Sequence, residues 1–149
     1  MNTAISTDLQ NYQPPSDLLS GKNILVTGAN KGIGQSAALA YARHGATVIL
    51  LGRNEQALDT VYDQIIQENG PQPVIVPFDL TSDNEAQYQE LAEHILRELG
   101  TLHGLLHNAG LLGELKPLGQ YDYNMFKEVM AVNVNSNFLL TKSLLPAME

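Results

Sequence analysis

The chain has 149 residues, a formal charge of −8 at neutral pH, 44% hydrophobic and 16% charged residues, and no cysteine. Its length suits one domain burying roughly two thirds of its unfolded surface. The charge argues against a nucleic-acid backbone or an anionic membrane as partner, and the missing cysteines exclude disulfides, thiolate metal sites and cysteine nucleophiles. No apolar run approaches the roughly 20 residues that span a bilayer. The polar start of the chain shows no signal peptide, so a cytoplasmic protein is expected.

Residues 1–20 read as an N-terminal arm, loose over Met1–Gln13, with Pro14-Pro15 stopping any helix. Ser20-Gly21-Lys22 then turns into a first strand, Asn23-Ile24-Leu25-Val26. The run Thr27-Gly28-Ala29-Asn30-Lys31-Gly32-Ile33-Gly34 follows and leads into an alanine-rich helix over Gln35–Arg43. A buried strand that turns through glycines into a helix is the pattern of a dinucleotide phosphate site. The helix start offers unpaired N–H groups and partial positive charge to an anion. Gly28 suits a turn closed to other residues. Gly32 leaves room for a pyrophosphate, and Gly34 lets the helix lie close to its strand.

Gly45 sits where the first helix should end. Ala46–Leu51, apolar apart from Thr47, predicts a strand buried on both faces. Asn54 caps a second helix with an apolar stripe of Leu58, Val61, Ile65 and Ile66, ended by Asn69-Gly70-Pro71. Val74–Phe78 predicts a third strand, closed by Asp79-Leu80. Ser82 and Glu85 form a capping-box pattern before a helix whose core face is Tyr88, Leu91, Ala92, Ile95, Leu96 and Leu99. Leu102–His107 predicts a fourth strand, ending in Asn108-Ala109-Gly110. A loop over Gly113–Gln120 precedes a long helix from about Asp122 towards Leu145, stopped by Pro146.

This alternation predicts an α/β fold, a Rossmann-like doubly wound parallel sheet covered on both faces by helices. Ligands in such sheets sit beyond the carboxyl ends of the strands. The glycine turn, Gly52-Arg53, Asp79-Leu80 and Asn108-Ala109-Gly110 all fall at those ends. No acidic residue ends the second strand; Arg53 follows it, and Lys31 lies inside the glycine turn. Two cations there could make charge-assisted hydrogen bonds to a ribose 2′-phosphate, or could simply be solvated surface residues. Asp79 could contact adenine or cap its own turn. His103 and His107 share a strand face, but no third ligand stands at metal spacing, so no metal site is expected. Tyr123 and Lys127 have Tyr-x-x-x-Lys spacing, but one chance match among six tyrosines carries little weight.

The form Thr-Gly-x-x-x-Gly-Ile-Gly, with Asp79, Asn108-Ala109-Gly110 and Val132-Asn133-Val134 in the right order, resembles the short-chain dehydrogenase/reductase family from Lys22 to Glu149. The wider pattern is similar to a bacterial oxoacyl-(acyl-carrier-protein) reductase-like branch. The resemblance implies an NADP(H)-dependent oxidoreductase that transfers hydride between NADPH and a carbonyl or hydroxyl on a small-molecule substrate, with an acyl-carrier-bound substrate as one form. The cofactor-binding residues it implies are Gly28, Asn30, Lys31, Gly32, Ile33, Gly34, Arg53, Asn54, Asp79, Leu80, Asn108, Ala109 and Gly110. Asn133 is the one catalytic residue, an asparagine that opens the helix and holds a water in a proton relay; read from the residues alone, it could equally be a satisfied core amide.

Many members carry asparagine where this chain has His107, and often glycine near Ser136. The family's serine and its Tyr-x-x-x-Lys pair, which follows the asparagine, are missing; Tyr123 precedes Asn133. The chain is therefore expected to be the amino-terminal portion of a longer reductase, cut after the fourth strand and its following helix. Residues 21–149 would be the dinucleotide-binding part, inactive by itself and associating as a homo-oligomer. The alternative is a non-catalytic NADP(H)-binding regulatory module. A methyltransferase on a related sheet would need an acid after the second strand, which Arg53 argues against.

Overall fold

A computed structural model describes residues 11–148. Strands β1 (Asn23–Thr27), β2 (Thr47–Gly52), β3 (Val74–Pro77) and β4 (Gly104–Leu106) alternate with helices α1 (Gly32–Arg43), α2 (Glu55–Gln67) and α3 (Glu85–Leu99). After β4 come a short 3-10 turn (Leu118–Gln120), α4 (Tyr123–Met130), a π-helical turn (Ala131–Asn135) and α5 (Ser136–Met148). All pairings are parallel, in the order β3-β2-β1-β4. Val26 lies opposite both Leu50 and Leu106, and Leu51 opposite Val76. The expected Rossmann-like sheet is the one observed.

Strand side chains alternate between two faces. Leu25, Ile49, Leu51 and Val76 pack with Tyr88, Leu91 and Ile95 of α3 and Leu140 and Leu144 of α5. Val26, Val48 and Leu50 pack on the other face with Ala38 and Leu39 of α1 and Leu58, Val61 and Ile65 of α2. Each large side chain so buried contributes roughly 1.5–3 kcal/mol. The continuous apolar character of β2 follows from helices on both sides. Among the described residues, no helix is long and apolar enough to cross a membrane.

Several expectations need correction. Pro146 does not stop the last helix, which continues to Met148. Proline removes one late hydrogen bond, while burial of Leu144 and Ala147 and a 2.8 Å bond from the Leu102 N–H to the Ala147 carbonyl hold the final turn. The capping box of Ser82 and Glu85 does not form. Asn84 caps α3 through the Ala86 N–H, and the Ser82 hydroxyl accepts from the Asn84 N–H instead. Ile66 and Leu96 are exposed, each one position outside the stripe that meets the sheet. The strand ends also differ: β1 gains Thr27, β2 shifts by one residue, β3 ends at Pro77 and β4 shortens to three residues. The loose arm proposed for Met1–Gln13 lies mostly outside the described residues; the segment after it is fastened where the Leu19 N–H donates to the His44 carbonyl at 2.8 Å.

Two side chains join β4 to its neighbours. Thr27 is 1% exposed. Its hydroxyl accepts from the N–H groups of Asn108 (2.9 Å) and Ala109 (3.0 Å) and donates to the Leu106 carbonyl (3.3 Å). His107 lies 2.8 Å through Nε2 from the Thr141 hydroxyl on α5, while its Nδ1 is buried with no partner. Burial pushes the His107 pKa below its ordinary 6.5.

Thr27→Val should therefore destabilise the protein by about 1–3 kcal/mol, because two N–H groups lose their acceptor. Thr27→Ser should restore most of that. Urea titration reads both, and a valine variant as stable as the parent would refute this role. For His107 the unfolded chain takes up a proton more readily than the folded one, so its contribution is present above about pH 6.5 and is lost on acidification below it. His107→Asn should flatten that part of the stability–pH curve; superimposable curves would contradict this.

Candidate functional site

The carboxyl ends of the strands open onto a cavity of about 590 Å³. It is lined by Gly28, Asn30, Lys31, Gly32 and Ile33 from the first turn, Arg53 and Asn54 after β2, Asp79 and Leu80 after β3, and Asn108, Ala109 and Gly110 after β4. Of the sequence candidates, Gly34 and Asn133 do not line it. A second, smaller cavity lies between α3 and α5, away from this rim, beside the Lys142–Glu85 ion pair.

The glycines shape the floor. Gly28 has φ +65°, and a Cβ there would stand 3.0 Å from the Ala109 Cα. A Cβ on Gly34 would run into the Gly28 carbonyl and the Asn108 amide. The close approach at Gly34 is thus to the turn and the end of β4. Gly32 differs: its φ is +58°, yet a Cβ would meet no protein atom within 4 Å. The space beside it is open to the cavity.

Helix α1 starts at this floor without a side-chain cap and without an acidic residue in its first turn. Helices α2, α3 and α4 are capped by Asn54, Asn84 and Asp122. The first N–H groups of α1 therefore keep their capacity to bind an anion. Lys31 and Arg53 lie on the same rim, and neither forms an ion pair among the described residues, where Arg43, Arg97, Lys116 and Lys142 all do. A Cβ on Gly52 would be 3.6 Å from Asn30 Oδ1, so the glycine turn and the end of β2 lie side by side.

Asp79 accepts from the Thr81 N–H through Oδ1 at 3.0 Å, an Asx-type turn rather than a helix cap. The Phe78 N–H donates to the Gly52 carbonyl at 2.9 Å, which carries the β2–β3 pairing up to the rim. The Asn108 amide donates to the carbonyls of Thr27 (3.0 Å) and Gly28 (3.3 Å), tying the glycine turn to the end of β4.

Asn133 sits inside the π-helical turn. Its Oδ1 accepts from the Leu111 N–H at 2.8 Å and its Nδ2 donates to the Leu111 carbonyl at 2.9 Å. The amide thus serves as a strand-like partner for the chain leaving β4. The Asn133 carbonyl accepts from the Asn137 side chain at 3.0 Å. The two histidines that flank β4 are engaged separately: His103 Nδ1 accepts from the Asn23 N–H at 3.0 Å, and His107 meets Thr141. Lys127 Nζ lies 5.2 Å from the centre of the Tyr123 ring, a cation–π pair whose members are not among the cavity-lining residues.

Gly52, placed at this edge by the sequence, lines the cavity as well, and sequence reasoning missed Phe78, Thr81, Leu111, Glu128 and Val132, all of which line it. Phe78, Thr81 and Leu111 adjoin named candidates. Glu128 and Val132 arrive from α4 and the π-helical turn; their i, i+4 spacing next to Asn133 was the available signal.

Residues 22–149 match the family model for short chain dehydrogenases. The chain is 50% identical over 135 residues to the uncharacterized oxidoreductase YciK of Escherichia coli K12, covering 91% of this chain and 54% of that protein. A short-chain dehydrogenase structure from Pseudomonas syringae superposes with a TM-score of 0.89 at 49% identity, over 93% of this chain and 57% of the other. One from Escherichia coli CFT073, solved in complex with NADPH, gives a TM-score of 0.86 at 49% identity, over 90% and 56% of the two chains. The chain thus spans about half the length of the relatives it matches. With the family model matched over residues 22–149 and a parallel sheet that superposes on these structures, the chain belongs to the short-chain dehydrogenase family.

Proposed function

We propose that residues 21–149 form the dinucleotide-binding part of an NADP(H)-dependent oxidoreductase, with residues 1–20 as an arm. When bound, NADPH supplies the hydride that reduces a carbonyl. The chain's own residues bind and orient the nucleotide. The pyrophosphate lies over Gly32 and the uncapped start of α1, where the positive φ and open space admit it. The adenosine 2′-phosphate lies beside Arg53 and Lys31. The single observation that carries this reading is that both cations stand on the cavity rim without a carboxylate partner among the described residues, in a chain of net charge −8. The NADPH complex of a 49% identical neighbour supports it.

Asp79 and Leu80 take the adenine, and Asn108, Ala109 and Gly110 pass close to the nicotinamide-side ribose. Asn133 positions the Gly110–Leu111 segment through its amide; the water relay would operate from the same π-helical turn. The substrate is a small carbonyl or alcohol, with a 3-oxoacyl group on an acyl carrier as the finer reading. Homo-oligomer formation is supported by the exposed Val134, Phe138 and Leu145 on the last helical column.

Arg53→Gln should weaken NADPH binding about tenfold or more, the loss of one charge-assisted hydrogen bond, and leave NADH binding nearly unchanged. Parallel calorimetric titrations decide this; equal losses for both nucleotides would refute the assignment of Arg53. The 149-residue chain should show no steady-state NADPH oxidation with any ketone, since its one Tyr-x-x-x-Lys pair is the exposed Tyr123 and Lys127 of α4. Measurable turnover would overturn that expectation.

A further inference from the structure

We propose that Glu128 reads the adenine base of the dinucleotide by accepting a hydrogen bond from its 6-amino group; this rests on the nucleotide reading above. Glu128 lines the cavity together with Val132, one helical turn further along the same face. The four ion pairs among the described residues engage Glu68, Glu98, Glu114 and Glu85, so the Glu128 carboxylate is not committed to a cation of its own chain.

Its place in the fold selects what it meets. Helix α5, which continues from the Glu128 column, packs in one core with α3, on the face opposite α1 and α2. Glu128 and Val132 share the cavity lining with the β3–α3 link, Asp79-Leu80-Thr81, and their helical column runs on into α5 on that link's side of the sheet, whereas α1 packs on the other. A carboxylate cannot favour the phosphates, which would gather at α1, Lys31 and Arg53. It needs a donor. With the adenine at Asp79 and Leu80, as proposed above, the donor that the base itself presents there is its exocyclic amine. Asp79 already spends Oδ1 on the Thr81 N–H, and a second acceptor on the facing wall completes the recognition of an amino group that has two hydrogens to donate.

The test compares NADPH with its hypoxanthine analogue, in which an oxo group replaces the amine, by calorimetry on the parent and on Glu128→Gln. Glu128 is exposed, so the substitution should leave the fold intact, which circular dichroism verifies. The parent should prefer adenine, and Glu128→Gln should narrow that preference by about tenfold, because a glutamine can also donate to the oxo group. An unchanged ratio overturns the proposal. So does a variant that alters the NADP⁺-to-NADPH affinity ratio instead, since that would place the carboxylate at the nicotinamide. A parent that binds neither nucleotide sinks the nucleotide reading, and this proposal with it, whereas a parent that binds NADPH with an unchanged ratio in the variant sinks only the role of Glu128.

Discussion

The site depends on how closely the turn after β1 lies against the end of β4. Gly28 and Gly34 have no room for a side chain because the Ala109 backbone and the Asn108 amide occupy that space. Thr27 and Asn108 close the same junction with hydrogen bonds in both directions, side chain of one to backbone of the other. Small residues bring the two segments together, and the buried polar groups specify one arrangement, since any slip would leave several of them unpaired. The cavity floor, the start of α1 and the Asn108-Ala109-Gly110 segment are all placed by this contact.

Charge is distributed to match. An acidic chain would repel a phosphorylated ligand at long range, so attraction has to be local. All four cations with a described ion pair lie outside this cavity's lining, while Lys31 and Arg53 stand on it unpaired among the described residues. The helix that begins there is the one without a capping side chain among α1 to α4. A cap would compete with an anion for the same N–H groups.

The last helical column shows how a polar residue can change a helix without ending it. Asparagine is a poor helix former, and Asn133 stands where the hydrogen-bond spacing widens to a π turn. Its amide is held by both backbone groups of Leu111, which offsets the local loss of regular bonding. Val132, within the same turn, lines the cavity, so the break in the helix lies at the wall of the site.

Local pattern was enough to read the order of strands and helices, the glycine turn, the Asn54 cap and the positions of twelve cavity-lining candidates, because each depends on neighbours in sequence. It misjudged what long-range packing decides. Pro146 reads as a stop, yet the burial of Leu144 and Ala147 keeps the helix going. Ser82 and Glu85 read as a cap, yet Asn84 stands nearer the helix start. Asn133 pointed to the turn that carries Val132 and, one turn earlier, Glu128, but these two lie about 50 positions from Asp79 along the chain and share its cavity only after α5 packs beside α3. The amino-acid sequence by itself determined a parallel α/β sheet with a glycine-lined candidate site at one edge, since periodicity and turn chemistry are local. The far wall of that site, the commitment of Asn133 to Leu111 and the freedom of Arg53 and Lys31 were decided by tertiary structure, because burial and hydrogen-bond partners are set by segments that meet only in the folded chain.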